Sequence, residues 1–341
     1  MKTKIVATIG PSSNDAKTIG LMLEAGMDVA RINCSHSNPK QIRDWTKLIR
    51  RVAKQNHRRV KIMVDLQGPR LRVGVLPKKG RRLHAGEIVT FDTNGNTKRG
   101  VIHVDDPYLH NDIEVGHPMF LANGQIELMI TSVHGTTFQA KVVHGGHLFS
   151  HKAVNMPGTR LTTSGLTNKD IADAKTGLSV GVEQVALSFV QSSADVKALR
   201  KIVGKKMTII AKIEMAMALN HIDGILRATD QMMVARGDLG AEVPVEDVPF
   251  LQKHLIHESH RHHRPTIVAT QMLISMVDNI HATRAEVSDV ANAVLDKTDA
   301  VMLSDETAAG KYPVEAVAMM HKIVERAEHH HFTPGGKFVS K

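Results

Sequence analysis

Short runs of aliphatic and β-branched residues recur along the chain at 4–9, 28–32, 60–65, 184–189, 208–213, 231–235, 266–269 and 300–303, and most are apolar nearly throughout rather than alternating. Such runs read as strands buried on both faces. Between them the apolar positions fall at i, i+3, i+4 and i+7, as in Ile42, Trp45, Leu48, Ile49 and Val52, or Val287, Val290, Ala291, Val294 and Leu295. That spacing predicts amphipathic helices. Strands alternating with helices call for a parallel sheet covered by helices, and eight such units predict an α/β fold, a (β/α)8 barrel. The alternation breaks once, from 71 to 156. There Gly, His, Asp and Asn accumulate around β-like runs such as "EIVTFD", "GHPMFLANG" and "TTFQAKVVHGG". The expected organisation is a discontinuous barrel, 1–70 and 157–330, a small β lid domain at 71–156 inserted after the third barrel strand, and a C-terminal tail at 331–341.

Composition narrows the partners. The 44 basic residues against 34 acidic give a net charge of +10, which favours anionic ligands. Aromatics are only 3 %, with one Trp and two Tyr, too few for the stacking platforms of single-stranded nucleic acid; no nucleic-acid partner is expected. The lone Cys34 excludes an internal disulfide framework and fits a reducing compartment. No run approaches the ~20 apolar residues of a membrane span, and the N-terminal "MKTKIVATIG" is too short for a signal peptide, so a cytoplasmic protein without a membrane partner is expected.

In a (β/α)8 barrel the chemistry gathers at the C-terminal ends of the strands. Here those ends read "RINCSH", "DLQGPR", "KIE", "RGD", "TQM" and "SDET". They would bring together Arg31, Asn33, Ser35, Asp65, Arg70, Lys212, Glu214, Asp238, Thr270, Ser304 and Glu306. Any one of these charges can be a simple strand-end bridge. Six strand ends carrying them together would bury too much charge to be stable without a ligand. Two carboxylates on neighbouring strands can hold Mg2+ or Mn2+ through oxygen, and the cations beside them suit phosphoryl or enolate charge. Neither GxxxxGK[ST] nor GxGxxG occurs, so a nucleotide would be held by other means.

The segments "TKIVATIGPSS", "DVARINCSH", "KAVNMPG", "AKIE", "MVARGDLG", "VATQML" and "TRAEVSDVANAVLDKTDAVMLSDETAAGKYPVEAV" resemble, in order and over nearly the whole chain, those of the pyruvate kinase family. The resemblance implies a barrel with a mobile lid and a reaction of glycolysis: transfer of the phosphoryl group of phosphoenolpyruvate to ADP, giving pyruvate and ATP. By position it assigns Glu214 and Asp238 to the divalent metal. It assigns Lys212 and Arg31 to the phosphoryl and enolate charge, with Gly237, Asp238 and Thr270 binding the substrate carboxylate. Arg72, Lys152 and His36 fall to the nucleotide, and Thr270, Ser304 and Glu306 to the proton relay.

The family's K+ site matches Asn33, Ser35, Asp65 and the carbonyl of Leu66, but the position after "GP", usually Glu in K+-dependent members, is Arg70. A guanidinium there could supply the charge that K+ otherwise brings, so K+ is expected not to be required; the other reading pairs Arg70 with a lid carboxylate. Met215 and Asp305 stand where the family usually has Asn and Gly. Asp305 would either raise the proton affinity of Glu306 or point to solvent. The chain ends where the family's further C-terminal domain usually begins, from which a homodimer through barrel helices, including the His-rich helix at 247–262, and no sugar-phosphate activation are expected. The histidines of that helix read as a solvated or interfacial face before a zinc site, and Cys34 as a packing residue before a redox one. Two rivals stand beside this reading: another pyruvate- or enolate-handling barrel enzyme, an aldolase or phosphomutase, and a non-catalytic paralogue.

Overall fold

Eight parallel strands close on themselves in the computed structural model of the chain, which describes residues 2–95, 100–122, 124–159, 161–162 and 165–329; the tail expected at 331–341 lies outside them. The barrel strands are β1 (Lys4–Ile9), β2 (Val29–Asn33), β3 (Lys61–Asp65), β4 (Gln184–Leu187), β5 (Thr208–Ile213), β6 (Gln231–Ala235), β7 (Thr266–Ala269) and β8 (Ala300–Leu303). Each pairs with its neighbour in sequence order, and β8 returns to β1. The fourth strand stops at Leu187, short of the expected 189. Phe189 turns left-handed, with φ 54°, and gives its amide to Glu214 instead of the ladder.

Because side chains alternate along a strand, each barrel strand has one face toward the bore and one toward the helices. Ile5, Ala7 and Ile9 of β1, with Ile209, Ala211 and Ile213 of β5, belong to the large core under the helices. Val6, Met63, Ala186, Ile210, Met233 and Met302 instead form a separate plug filling the middle of the bore. Counting by two from that plug toward the strand ends gives Thr8, Arg31, Asp65, Ser188, Lys212 and Ser304. The polar groups at the C-terminal mouth therefore continue the inward face. The helices close by local signals: Asn38, Thr167, Ser192 and Thr283 each form a reciprocal capping box with the residue three positions on.

Between β3 and β4 the chain builds a β unit. Its six-stranded sheet runs in the order Val154–Asn155, Pro118–Leu121, Ile126–His134, Thr137–His144, Ile88–Asp92 and Val101–His103, beside a two-stranded pair, Arg81–Leu83 with Gly146–Leu148. It has its own core, reaching from Leu71 to Met156, in which Phe91 and Phe138 face each other across the sheet with ring centroids 5.1 Å apart. The chain enters and leaves it side by side: Val73 N donates to Lys152 O, His151 N to Val73 O and Val154 N to Leu71 O.

Candidate active site

Lys212 near the end of β5 and Glu214 just past it continue the inward face, two and four residues beyond Ile210 of the plug. Lys212 Nζ lies 2.9 Å from Glu214 Oε1 and 3.2 Å from Asp65 Oδ1, and donates to Ser188 Oγ at 2.7 Å. Asp65, at the end of β3, accepts from Arg31 Nε at 2.7 Å on its other oxygen, and Arg31 Nη1 reaches Thr8 Oγ1 at 2.8 Å. All four charged groups are at most 9 % exposed. Burial alone would raise Asp65, but Lys212 and Arg31 outweigh it and hold the carboxyl below its ordinary range. Burial alone would lower Lys212; Asp65 and Glu214 reverse that, so the ammonium stays charged at neutral pH. Glu214 is raised, by burial and by the nearby charge of Asp238.

Asp238 comes from the short helix Arg236–Leu239 after β6. Its Oδ1 accepts from Arg70 Nη2 at 3.0 Å, so Arg70 points to the barrel rather than to a lid carboxylate. Gly237 N donates to Thr270 Oγ1 at 2.7 Å, and that hydroxyl donates to Ala269 O at 2.6 Å. Thr270 and Gln271 are held left-handed, φ 72° and 53°, unusual for residues with a Cβ and costly for a β-branched one. The anchor is Arg236, which turns away from the mouth, donating to Thr270 O at 2.8 Å and to both oxygens of Asp289 at 2.7 and 2.8 Å.

Glu306 is fully buried, and backbone amides hold both oxygens: Leu273 N at 3.0 Å and Ser304 N at 2.7 Å. Burial raises its pKa, with exposed Asp305 adding in the same direction. The carboxyl thus braces the β7 and β8 loops against each other, and of the three expected relay groups it is the one turned into the protein. Arg72 donates to His151 O at 2.7 Å and sits beside exposed Lys152 on the ladder leading into the lid. Exposed His36 lies on the loop after β2. On that loop Ser35 N donates to Asn33 Oδ1 at 3.1 Å, while Leu66 O accepts from Ser188 Oγ at 2.7 Å. Among the described residues no cluster of three or more His, Cys, Asp or Glu could hold a metal ion, the His-rich helix included. His260 there faces Asp299, and His262, just beyond the helix, faces Asp223.

Three groups escaped the sequence reading. Ser188 was legible in principle, two residues past Ala186 on the same face. Lys169 and Asp170, at the start of the helix Asn168–Ser179, fix two site loops: Lys169 Nζ donates to Cys34 O at 2.6 Å, and Asp170 Oδ1 accepts from Gly68 N at 3.1 Å. Gly68 has φ 70°, and a Cβ there would come within 2.8 Å of the Phe189 ring, so the turn before Arg70 requires glycine.

The third is Glu242, 8 % exposed, which accepts from the lid amide of Asn155 at 3.3 Å. Burial raises its pKa from the ordinary 4.5 to about 7. Between those values the folded chain holds a proton that the unfolded chain has released, so stability falls as pH rises through that window and levels above it. The shift corresponds to ~3 kcal/mol. Glu242→Gln is expected to flatten this slope in urea titrations from pH 5 to 8; an unchanged slope would show that Glu242 does not carry it.

A closed barrel with an inserted β unit beside a mouth of paired cations and carboxylates has the architecture of an α/β-barrel enzyme. Residues 1–317 match the family model of the pyruvate kinase barrel domain. The chain is 43 % identical over 333 residues to a pyruvate kinase of Thermococcus litoralis, covering 96 % of this chain and 70 % of that protein. It is 43 % identical over 338 residues to one of Agrobacterium vitis, covering 98 % and 70 %. With pyruvate kinase 2 of a Synechocystis strain it shares 42 % identity over 348 residues; this chain spans about 59 % of that protein's length. The chain belongs to the pyruvate kinase family, a family of phosphotransferases. No helix among the described residues is long and apolar enough to cross a membrane.

Proposed function

We propose that the chain transfers the phosphoryl group of phosphoenolpyruvate to ADP, releasing pyruvate and ATP. The observation that carries this reading is the pair of buried cations, Arg31 and Lys212, converging on Asp65 beside the carboxylates Glu214 and Asp238. As the bond from the enol oxygen to phosphorus breaks and the bond to an ADP oxygen forms, charge spreads over the phosphoryl oxygens and the enolate. Arg31 and Lys212 face that charge. Lys212 acts by its charge rather than by giving up its proton, since its carboxylate neighbours hold the proton on it. Thr270 and Ser304 are the hydroxyls assigned to the proton delivered to the enolate carbon, with Glu306 positioning Ser304 through its amide. Arg72, Lys152 and His36 are assigned to the nucleotide phosphates.

Glu214 and Asp238 fit a divalent cation of the Mg2+ or Mn2+ type: both offer hard oxygens, and the repulsion that helps raise Glu214 is relieved by a cation between them. When bound, that ion would neutralise charge on the phosphoryl and enolate oxygens. For K+ we propose independence. Asp65, the one carboxylate among the groups expected to hold K+, already holds two protein cations, and Arg70, which a divalent ion on Asp238 would free from that carboxylate, brings a fixed positive charge to the same mouth in place of K+. A coupled assay of pyruvate release tests both points. The rate is expected to require Mg2+ or Mn2+, to be insensitive to about 100 mM KCl at matched ionic strength, and to become K+-dependent in Arg70→Glu. Absence of metal-dependent pyruvate release would sink the catalytic reading; strong K+ activation of the parent chain would sink the Arg70 argument alone.

A further inference from the structure

The bore has a second mouth. Below the apolar plug, at the N-terminal ends of the strands, lies a cavity of about 850 Å3. The same counting by two that gives Lys212 at one end gives Lys4, Lys61, Gln184 and Gln231 at the other, so the first layer of the bore is polar where a stoppered barrel would be aliphatic. Gln184 is 7 % exposed, and its Oε1 is buried with no hydrogen-bond partner. Its amide nitrogen makes one long contact, 3.5 Å, with Gln231 Oε1. Whichever way the amide is turned, one polar atom of Gln184, a residue lining the cavity, is left without a partner.

The rim is basic. Lys4 pairs with Asp28 and Arg50 with Glu183, but Lys54, Arg58, Arg59 and Lys61 have no carboxylate partner among the described residues. Among the described residues the charges lining the cavity are seven basic against three acidic, an excess of four. In a cleft with apolar walls such an excess draws in anions. Among the described residues no aromatic side chain lines the cavity, so they offer nothing for stacking a nucleobase.

We propose that the N-terminal mouth of the barrel is a second ligand site, for a phosphorylated polyol whose phosphate meets the Arg58, Arg59 and Lys61 rim while a hydroxyl meets the Gln184 amide. Dianionic phosphate matches the unpaired guanidinium groups, and a hydroxyl can donate or accept, so it satisfies Gln184 in either orientation. The plug of Met63, Ile210, Met233 and Met302 separates this mouth from the catalytic one. Among the described residues the two mouths share no side chain, so failure of the catalytic reading would leave this site untouched.

Titration calorimetry of the full chain with sorbitol 6-phosphate, inorganic phosphate and sorbitol tests the proposal. Sorbitol 6-phosphate is expected to bind at least tenfold more tightly than inorganic phosphate, and sorbitol not measurably. Arg58→Glu with Arg59→Glu, both exposed, should keep the parent's thermal midpoint and lose at least tenfold in affinity for sorbitol 6-phosphate. Gln184→Leu should bring sorbitol 6-phosphate down to the level of inorganic phosphate. Lys152→Ala, at the catalytic mouth, should leave all three unchanged. Failure of the parent to bind sorbitol 6-phosphate, binding no tighter than that of inorganic phosphate, or binding lost with Lys152 and kept in the Arg58/Arg59 variant would each overturn it.

Discussion

Lys212→Met is expected to lower kcat by roughly 10²- to 10³-fold, the loss found when one preorganised group facing transition-state charge is removed. It is also expected to weaken the fold. In the native mouth the ammonium stands between Glu214 and Asp65, 2.9 and 3.2 Å away, and all three are nearly sealed from water. Methionine fills a similar volume but leaves Asp65 with Arg31 alone and Glu214 with no cation in contact. Breaking a buried pair in this way costs about 3–5 kcal/mol, less whatever Glu214 recovers by taking up a proton. The two effects separate experimentally, because urea titration reads the second and turnover per folded molecule reads the first. Equilibrium binding of phosphoenolpyruvate should change less than kcat, since on the proposed reading the charge that Lys212 meets is larger in the transition state than in the ground state. A turnover loss below about tenfold, or ~1.4 kcal/mol, would contradict the electrostatic role.

The other large effect is expected at a residue that never meets substrate. Arg236→Met should lower stability by ~3 kcal/mol and turnover by at least an order of magnitude. Its guanidinium forks onto Asp289, caps Thr270 O and reaches Gln252 Oε1 at 3.2 Å, joining the end of β6, the end of β7 and two outer helices. The left-handed turn at Thr270 and Gln271 is held in place by those bonds, and Gly237 and Asp238 ride on the next two residues of the chain. Arg236→Lys should recover only part of the loss, because an ammonium cannot reproduce the two parallel bonds to Asp289. An unchanged urea midpoint in Arg236→Met would show that the turn is held by other contacts.

Much of this architecture could be read from the chain. Every barrel strand begins within one residue of its expected start, because a strand buried on both faces leaves an uninterrupted apolar run with few other readings. The inward placement of Lys212 and Glu214 also follows from counting by two along "IIAKIE". What could not be read was direction beyond the strand ends. Arg236 and Lys212 look alike as charges closing a strand, yet one turns outward to Asp289 and the other inward to Asp65, a choice made by helices whose positions no local pattern encodes. Glu306 could not be seen to spend both oxygens on backbone amides, since its partners Leu273 and Ser304 meet it only through the packing of neighbouring loops. Arg70 was expected beside the Asn33 and Ser35 loop or on the lid, and it lies on Asp238 because the glycine turn at Gly68 aims it across the mouth.

The way the β unit joins the barrel has an evolutionary consequence. Arg72 and Ala153 bridge as antiparallel neighbours, so the point where the chain departs and the point where it returns are adjacent in space. An excursion whose two ends meet leaves the host's strand order and closure undisturbed, and a tight hairpin could replace it. The barrel and the excursion can therefore acquire substitutions, lengthen or shorten on separate histories, provided that the short ladder between them is kept. Selection on the edge proposed to meet the nucleotide phosphates then falls on a handful of residues around Arg72 and Lys152 rather than on the whole insertion.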